Sequence, residues 1–208
     1  MTEDNMQVLR DDLAFMRDLA HDGSNAPLLF GGVMVAAGLI FGAASIGHWL
    51  IASGVLRLPP WWLMANWLTA AGVFGLGCRR LVRRAGTRPG SNSGPNRVTG
   101  AAWSGVGFAI FASWAGLAAM AVVTSDWRVM NAFPVLILAL YGAAWFVAGE
   151  MSRQGWLKLV ALAAFIGAVV VGALASGPHL MLAYAACLVL VAVVPGIVLM
   201  RREPAGIA

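Results

Sequence analysis

Residues 156–176 read WLKLVALAAFIGAVVVGALAS, an apolar run in which Lys158 is the single charged residue. At a rise of about 1.5 Å per residue the run makes a helix some 30 Å long, which matches the hydrocarbon thickness that roughly 20 apolar residues are needed to cross. Lipid offers no hydrogen bonds to a bare backbone, so a run this apolar satisfies itself only as a continuous helix. Working outward, comparable stretches occupy Leu28–Leu50, Trp61–Cys78, Ala101–Val123, Ala132–Gly149 and Leu180–Met200. None alternates as barrel strands do. The expected fold is therefore all-α: a polytopic integral membrane protein with six transmembrane helices arranged as three antiparallel hairpins, beginning near residues 28, 101 and 156.

Composition agrees. Apolar residues make up 60% of the 208 and charged residues 11%, against roughly 45–50% and about 25% in an average soluble chain. That leaves no polar sequence for a separate soluble domain. The organisation expected is an acidic amphipathic segment and turn at 1–26, a transmembrane domain at 27–200 interrupted by a basic flexible loop at 79–100, and a short tail at 201–208. Thirteen of the fourteen basic residues are Arg, a bias that points to a GC-rich bacterial genome. Cys78 and Cys187 fall at or within spans and read as small packing residues, not as a disulfide framework.

Charge decides the orientation. Arg10, Arg17, Arg79, Arg80, Arg83, Arg84, Arg88, Arg97, Arg153, Lys158, Arg201 and Arg202 fall on one side of the six-span arrangement, and only Arg57 and Arg128 on the other. By the positive-inside rule both termini face the cytoplasm of a bacterial inner membrane and the hairpin tips face outward. Trp49, Trp61, Trp62 and Trp127 then mark outer span ends, and Trp103 and Trp156 inner ones. The net negative charge before the first span argues against a cleaved signal peptide, so the first helix is expected to be retained.

In residues 2–21, Met6, Leu9, Leu13 and Met16 recur at helical spacing among charged residues. Six of the nine acidic residues lie before residue 23. Such a stripe lies along headgroups or docks on a partner, and its acidity disfavours anionic lipid. The loop Arg79–Gly100 is rich in Gly, Pro, Ser and Asn and reads as a linker whose arginines serve topology, not nucleic acid. Small residues four apart predict close helix approach: Gly38 and Gly42, Ala112 and Gly116, and Ala164, Ala168, Gly172 and Ser176. Pro195-Gly196 predicts a bend or loosened turn near the end of the last span.

Chemistry is sparse. Asn66, Thr69, Tyr141, Trp145 and Tyr184 are the polar or aromatic groups placed deep enough to line a ligand pocket, with interhelical hydrogen bonding as the plainer reading. His48 and His179 fall at outer span ends, where two imidazoles suit a metal or haem, but no His-x-x-x-His or Cys-x-x-Cys-His pattern accompanies them. Glu150 reads as an interfacial acid paired with Arg153. Without a nucleotide loop, a His-Glu-x-x-His pair or a serine elbow, no enzyme activity and no cofactor are expected. The leading expectation is an interaction or accessory subunit contacting a cytoplasmic or membrane protein through Met6, Leu9, Leu13 and Met16. The alternative is a small permease or channel for a neutral or amphiphilic solute, either form being compatible with a homo-oligomer in the lipid bilayer. A haem or metal protein of the outer face comes third.

Overall fold

A computed structural model describes residues 27–203, so the amphipathic segment at 2–21, with Met6, Leu9, Leu13 and Met16, lies outside the described residues. Within them the chain forms α1 (Gly31–Ala52), α2 (Trp61–Gly86), α3 (Gly94–Thr124), a 3-10 turn (Trp127–Ala132), α4 (Phe133–Met151), α5 (Gly155–Ala173), α6 (Leu180–Leu188), a π turn (Val189–Val193) and α7 (Val194–Arg202). No strand occurs among the described residues. Among the described residues five helical stretches are long and apolar enough to cross a membrane: α1, α3, α4 with its 3-10 turn, α5, and the continuous rod Leu180–Arg202. The protein therefore has the build of a multi-pass membrane protein.

The expected second span is not among those five. Although α2 runs 26 residues, its apolar stretch is diluted by Trp61, Trp62, Asn66, Trp67 and Thr69, and its last turns carry Arg79, Arg80, Arg83 and Arg84. The expected flexible loop at 79–100 is also largely helical: α2 continues to Gly86 and α3 begins at Gly94. Arginine is a good helix former, and Pro95 sits in the first turn of α3, where its missing N–H costs nothing. Between them the chain turns through Gly90, at φ +81, a conformation that glycine adopts without strain.

Other boundaries have similarly local causes. Ser125 adopts a left-handed φ of 53 at the end of α3, and the Asp126 N–H reaches back to the Ala121 carbonyl at 3.1 Å. The Asp126 carboxylate then accepts the Arg128 N–H at 2.9 Å and opens the 3-10 turn. Pro134 occupies the first turn of α4, and a left-handed Arg153 (φ 54) separates α4 from α5.

Around these helices the packing order is α2, α1, the α6–α7 rod, α5, α4 and α3, with α4 against α5 the most extensive contact. The core lies where α4, α5, the rod and the start of α1 meet, around Leu28, Leu138, Trp145, Leu157, Val171, Leu188 and Leu199. In lipid, helices gain nothing by hiding from water, so dispersion contact and close backbone approach hold them together. The closest seam joins α1 to α7. A Cβ on Gly31 would sit 2.7 Å from the Gly196 carbonyl oxygen, and one on Gly196 would sit 2.8 Å from the Gly31 oxygen. Gly38 faces Val193 in the same way, whereas a Cβ on Gly42 would meet nothing within 4 Å. In α5, Ala164 and Ala168 are buried and Ser176 is exposed, while Ala112 and Gly116 of α3 lie on an open face. The α1 and α5 stripes are therefore seams in part, and the α3 stripe is not one.

Candidate functional site

Proline chemistry organises the centre of the bundle. Pro195 has no N–H to offer the carbonyl four residues earlier, so Val191 loses its α-helical partner just where the rod widens into the π turn. The indole N–H of Trp145, on α4, donates to that Val191 oxygen at 2.8 Å in a fully buried position. The bend expected at Pro195-Gly196 is realised as this π turn, and Trp145 answers its orphaned carbonyl.

Trp145 belongs to an aromatic cluster. The Trp103 ring meets Tyr141 edge-on at 5.1 Å and Trp145 edge-on at 5.4 Å, and Phe30 lies 5.8 Å from Trp103 and 5.5 Å from Trp145. Trp103, expected as an interfacial anchor, is thus drawn onto the core. Tyr184 is buried in the same core cluster as Tyr141 and Trp145. Two polar atoms near this cluster on α3, Thr99 Oγ1 and Trp103 Nε1, are buried without a hydrogen-bond partner among the described residues.

The remaining candidates sit elsewhere. Asn66 donates through Nδ2 to the Ala44 carbonyl at 2.8 Å, tying α2 to α1. One turn further along α2, Thr69 is exposed. Of the five polar and aromatic candidates, then, Tyr141, Trp145 and Tyr184 share a core, and Asn66 and Thr69 belong to a peripheral helix. His48 accepts the Trp67 indole N–H through Nδ1 at 3.0 Å, and the His179 ring lies 6.3 Å from that of Trp49. No three His, Cys, Asp or Glu gather at metal-binding range among the described residues. Cys78 and Cys187 are free thiols, with Cys187 Sγ placed 3.1 Å from where a Cβ on Gly167 would be.

At the arginine-rich end, the groups are knotted together. The Asn96 side chain donates to the Pro27 and Gly90 carbonyls at 2.9 and 3.0 Å and accepts the Leu29 N–H at 3.1 Å. Arg88 pairs with Glu203, joining the α2–α3 turn to the end of the rod. Glu150 pairs with Lys158 at 2.5 Å, not with Arg153, because the tight turn after α4 brings the first turn of α5 alongside. Arg202 lies over the Trp156 ring at 5.4 Å.

The opposite end holds a further feature that sequence reasoning passed over. A half-open cleft of about 640 Å³ lies between the 3-10 turn, the start of α4 and the end of α5, lined by residues including Arg128, Asn131, Val135, Gly172 and Ser176. In sequence Arg128 enters only the charge count, and nothing in residues 127–136 signals that residues 172–176 lie beside them. Asn131 makes that connection by donating to the Ala175 carbonyl at 2.8 Å.

Comparison with protein-family models, with curated proteins and with solved structures finds no match to this chain.

Proposed function

We propose that this chain is a non-enzymatic membrane protein that acts as an interaction or accessory subunit, spanning the bilayer six times as three hairpins with both termini in the cytoplasm of a bacterial inner membrane. Counting α2 as a span rests on its length and on its arginine-rich end lying with those of the other helices, where Arg88 meets Glu203 and Arg202 meets Gln154. Reporter fusions at Ser93, Ser125 and residue 208 test it: only the Ser125 fusion should report export.

The observation that carries the functional reading is how unevenly the helices are used. α3, the longest at 31 residues, buries only Pro95, Thr99, Val106 and Ala121, and α2 buries only Ala70. Several polar groups are meanwhile used within the bundle: Trp145 by Val191, Ser45 by Phe41 and, on the peripheral α2, Asn66 by Ala44. A protein built this way has much surface for neighbours and little interior for a solute. Partner contact through the acidic segment at 2–21, with Met6, Leu9, Leu13 and Met16, remains the proposed cytoplasmic arm. Affinity capture in mild detergent, comparing the full chain with one lacking residues 2–21, is the test. Identical co-purifying proteins from both would end this reading.

A second reading has one observation of its own. Trp103 Nε1, on the ring that meets Tyr141, and Thr99 Oγ1, one turn earlier on α3, are unpartnered groups that a small neutral or amphiphilic solute would satisfy on its way through a permease. Solute flux into proteoliposomes that falls with Tyr141→Phe but not with Asn66→Leu would favour it.

A further inference from the structure

We infer that the cleft at the end of the bundle away from the arginine cluster is a binding site for one glycerophospholipid, its phosphodiester held by Arg128 and the start of an acyl chain resting on the apolar walls at the ends of α4 and α5. The lining divides into two chemistries. Val129, Ala132, Val135, Leu136, Gly172 and Ala175 make apolar walls, and Arg128, Asn131 and Ser176 make a polar rim. All three rim side chains have a donor to give. The Arg128 side chain makes no ion pair with any described acid, because the Asp126 carboxylate is turned onto the Arg128 backbone N–H instead. Asn131 spends one amide N–H on the Ala175 carbonyl, which leaves the second, and the Ser176 hydroxyl makes no hydrogen bond among the described residues.

A guanidinium flanked by neutral donors is suited to a phosphate, which it can grip through two parallel N–H···O bonds. A free phosphate would have no use for the apolar walls. A neutral lipid would have no use for the rim. The joint requirement selects an amphiphile with a phosphate head, and the position of the cleft, at the ends of α4 and α5, is where headgroups meet hydrocarbon. The space of about 640 Å³ falls within the roughly 300–1,000 Å³ usual for small-molecule pockets. Gly172 forms the α5 wall opposite Val135: a Cβ there would lie 3.7 Å from a Val135 methyl, so a longer side chain at 172 adds bulk to the cleft wall.

The test is native mass spectrometry of the delipidated full-length protein titrated with phosphatidylglycerol, with diacylglycerol and inorganic phosphate as separate probes. One phosphatidylglycerol per chain should bind at least about tenfold more tightly than diacylglycerol, the factor corresponding to about 1.4 kcal/mol. Arg128→Gln should abolish that preference. Gly172→Leu and Ala132→Phe, which fill the cleft from opposite walls without changing charge, should each remove the bound lipid, and Arg57→Gln should change nothing. Two cleft-filling variants are included so that misfolding of one leaves the other to decide. Equal binding of diacylglycerol, equal loss with Arg57→Gln, lipid retained when the cleft is filled, or displacement by millimolar inorganic phosphate would each overturn the assignment.

Discussion

The seam between α1 and α7 and the outward face of α3 are both built from small residues, yet they do opposite things. At the seam, Gly31 and Gly196 bring backbones together so closely that a single added carbon would strike a carbonyl oxygen or an amide nitrogen. On α3, Gly105, Gly107 and Gly116 would each accept a Cβ with nothing within 4 Å. The lesson is that a small residue in a membrane helix permits close approach without compelling it. What compels it is the neighbour's shape: Val193, Ala192 and the bulkless Gly196 fit into α1, whereas no described helix covers Ala112 and Gly116.

The sharpest way to test that contrast is to enlarge the glycines. Gly196→Val should destabilise the bundle by about 3 kcal/mol, the upper part of the range for overpacking, since two of the three nearest atoms, the Gly31 oxygen and the Val35 nitrogen, are backbone and cannot give way. Gly75→Val on α2, whose Cβ meets nothing within 4 Å, should leave stability within about 0.5 kcal/mol. Unfolding in mixed detergent micelles measures both. Equal effects would erase the distinction between the packed and the open faces.

Next in size is the hydrogen bond that crosses the core. Trp145→Phe leaves the Val191 carbonyl without its indole partner and should cost about 1–2 kcal/mol. Pro195→Ala restores an N–H four residues beyond Val191, so the Trp145→Phe cost should shrink in its presence. A double-mutant cycle reads the coupling, and strict additivity would show that the proline and the tryptophan are unrelated.

Smaller effects belong to the periphery. Asn66→Leu, which cuts the amide link from α2 to Ala44, should cost about 0.6–1 kcal/mol, in the range of measured interhelical bonds in membranes. A disulfide or cross-link between α1 and α2 would then form less completely, whereas contacts between α4 and α5 would be unchanged. Smallest of all, Glu203→Gln should remove about 1 kcal/mol or less: the Glu203 side chain is largely buried, but the amide oxygen still accepts from Arg88, which is partly exposed.

Much of this was legible in the chain itself. The helical class and the extents of α1, α5 and the rod follow from run length and apolarity. The weakness of Pro195-Gly196 was visible because proline withholds an N–H wherever it stands. What could not be read was the reply to it, since Trp145 lies 46 residues from Val191 and its depth in the span does not say which carbonyl its indole meets. The same limit applies to the five candidate pocket residues. Depth within a span is a one-dimensional property, and it placed Asn66 and Tyr141 in one set, but the angle around the bundle separates them. The loop expected at 79–100 shrinks to a turn at 87–93 for a different reason: Gly, Ser, Asn and Pro do mark a break, but the arginines before it continue α2 and the residues from Gly94 on begin α3.

Sequence alone determined the solvent of this protein, because a backbone in hydrocarbon has to close its own hydrogen bonds and these runs are long and apolar enough to do so only as helices. It determined also where the positive charge collects. Tertiary structure decided which faces meet. Only it revealed that Gly31 lies against Gly196, that a tryptophan completes the π turn, and that Arg128 stands at the mouth of an apolar cleft beside Gly172. The physical reason is that lipid makes every apolar face nearly equivalent in transfer energy, so the choice among them falls to shape and to the few polar groups that need a partner.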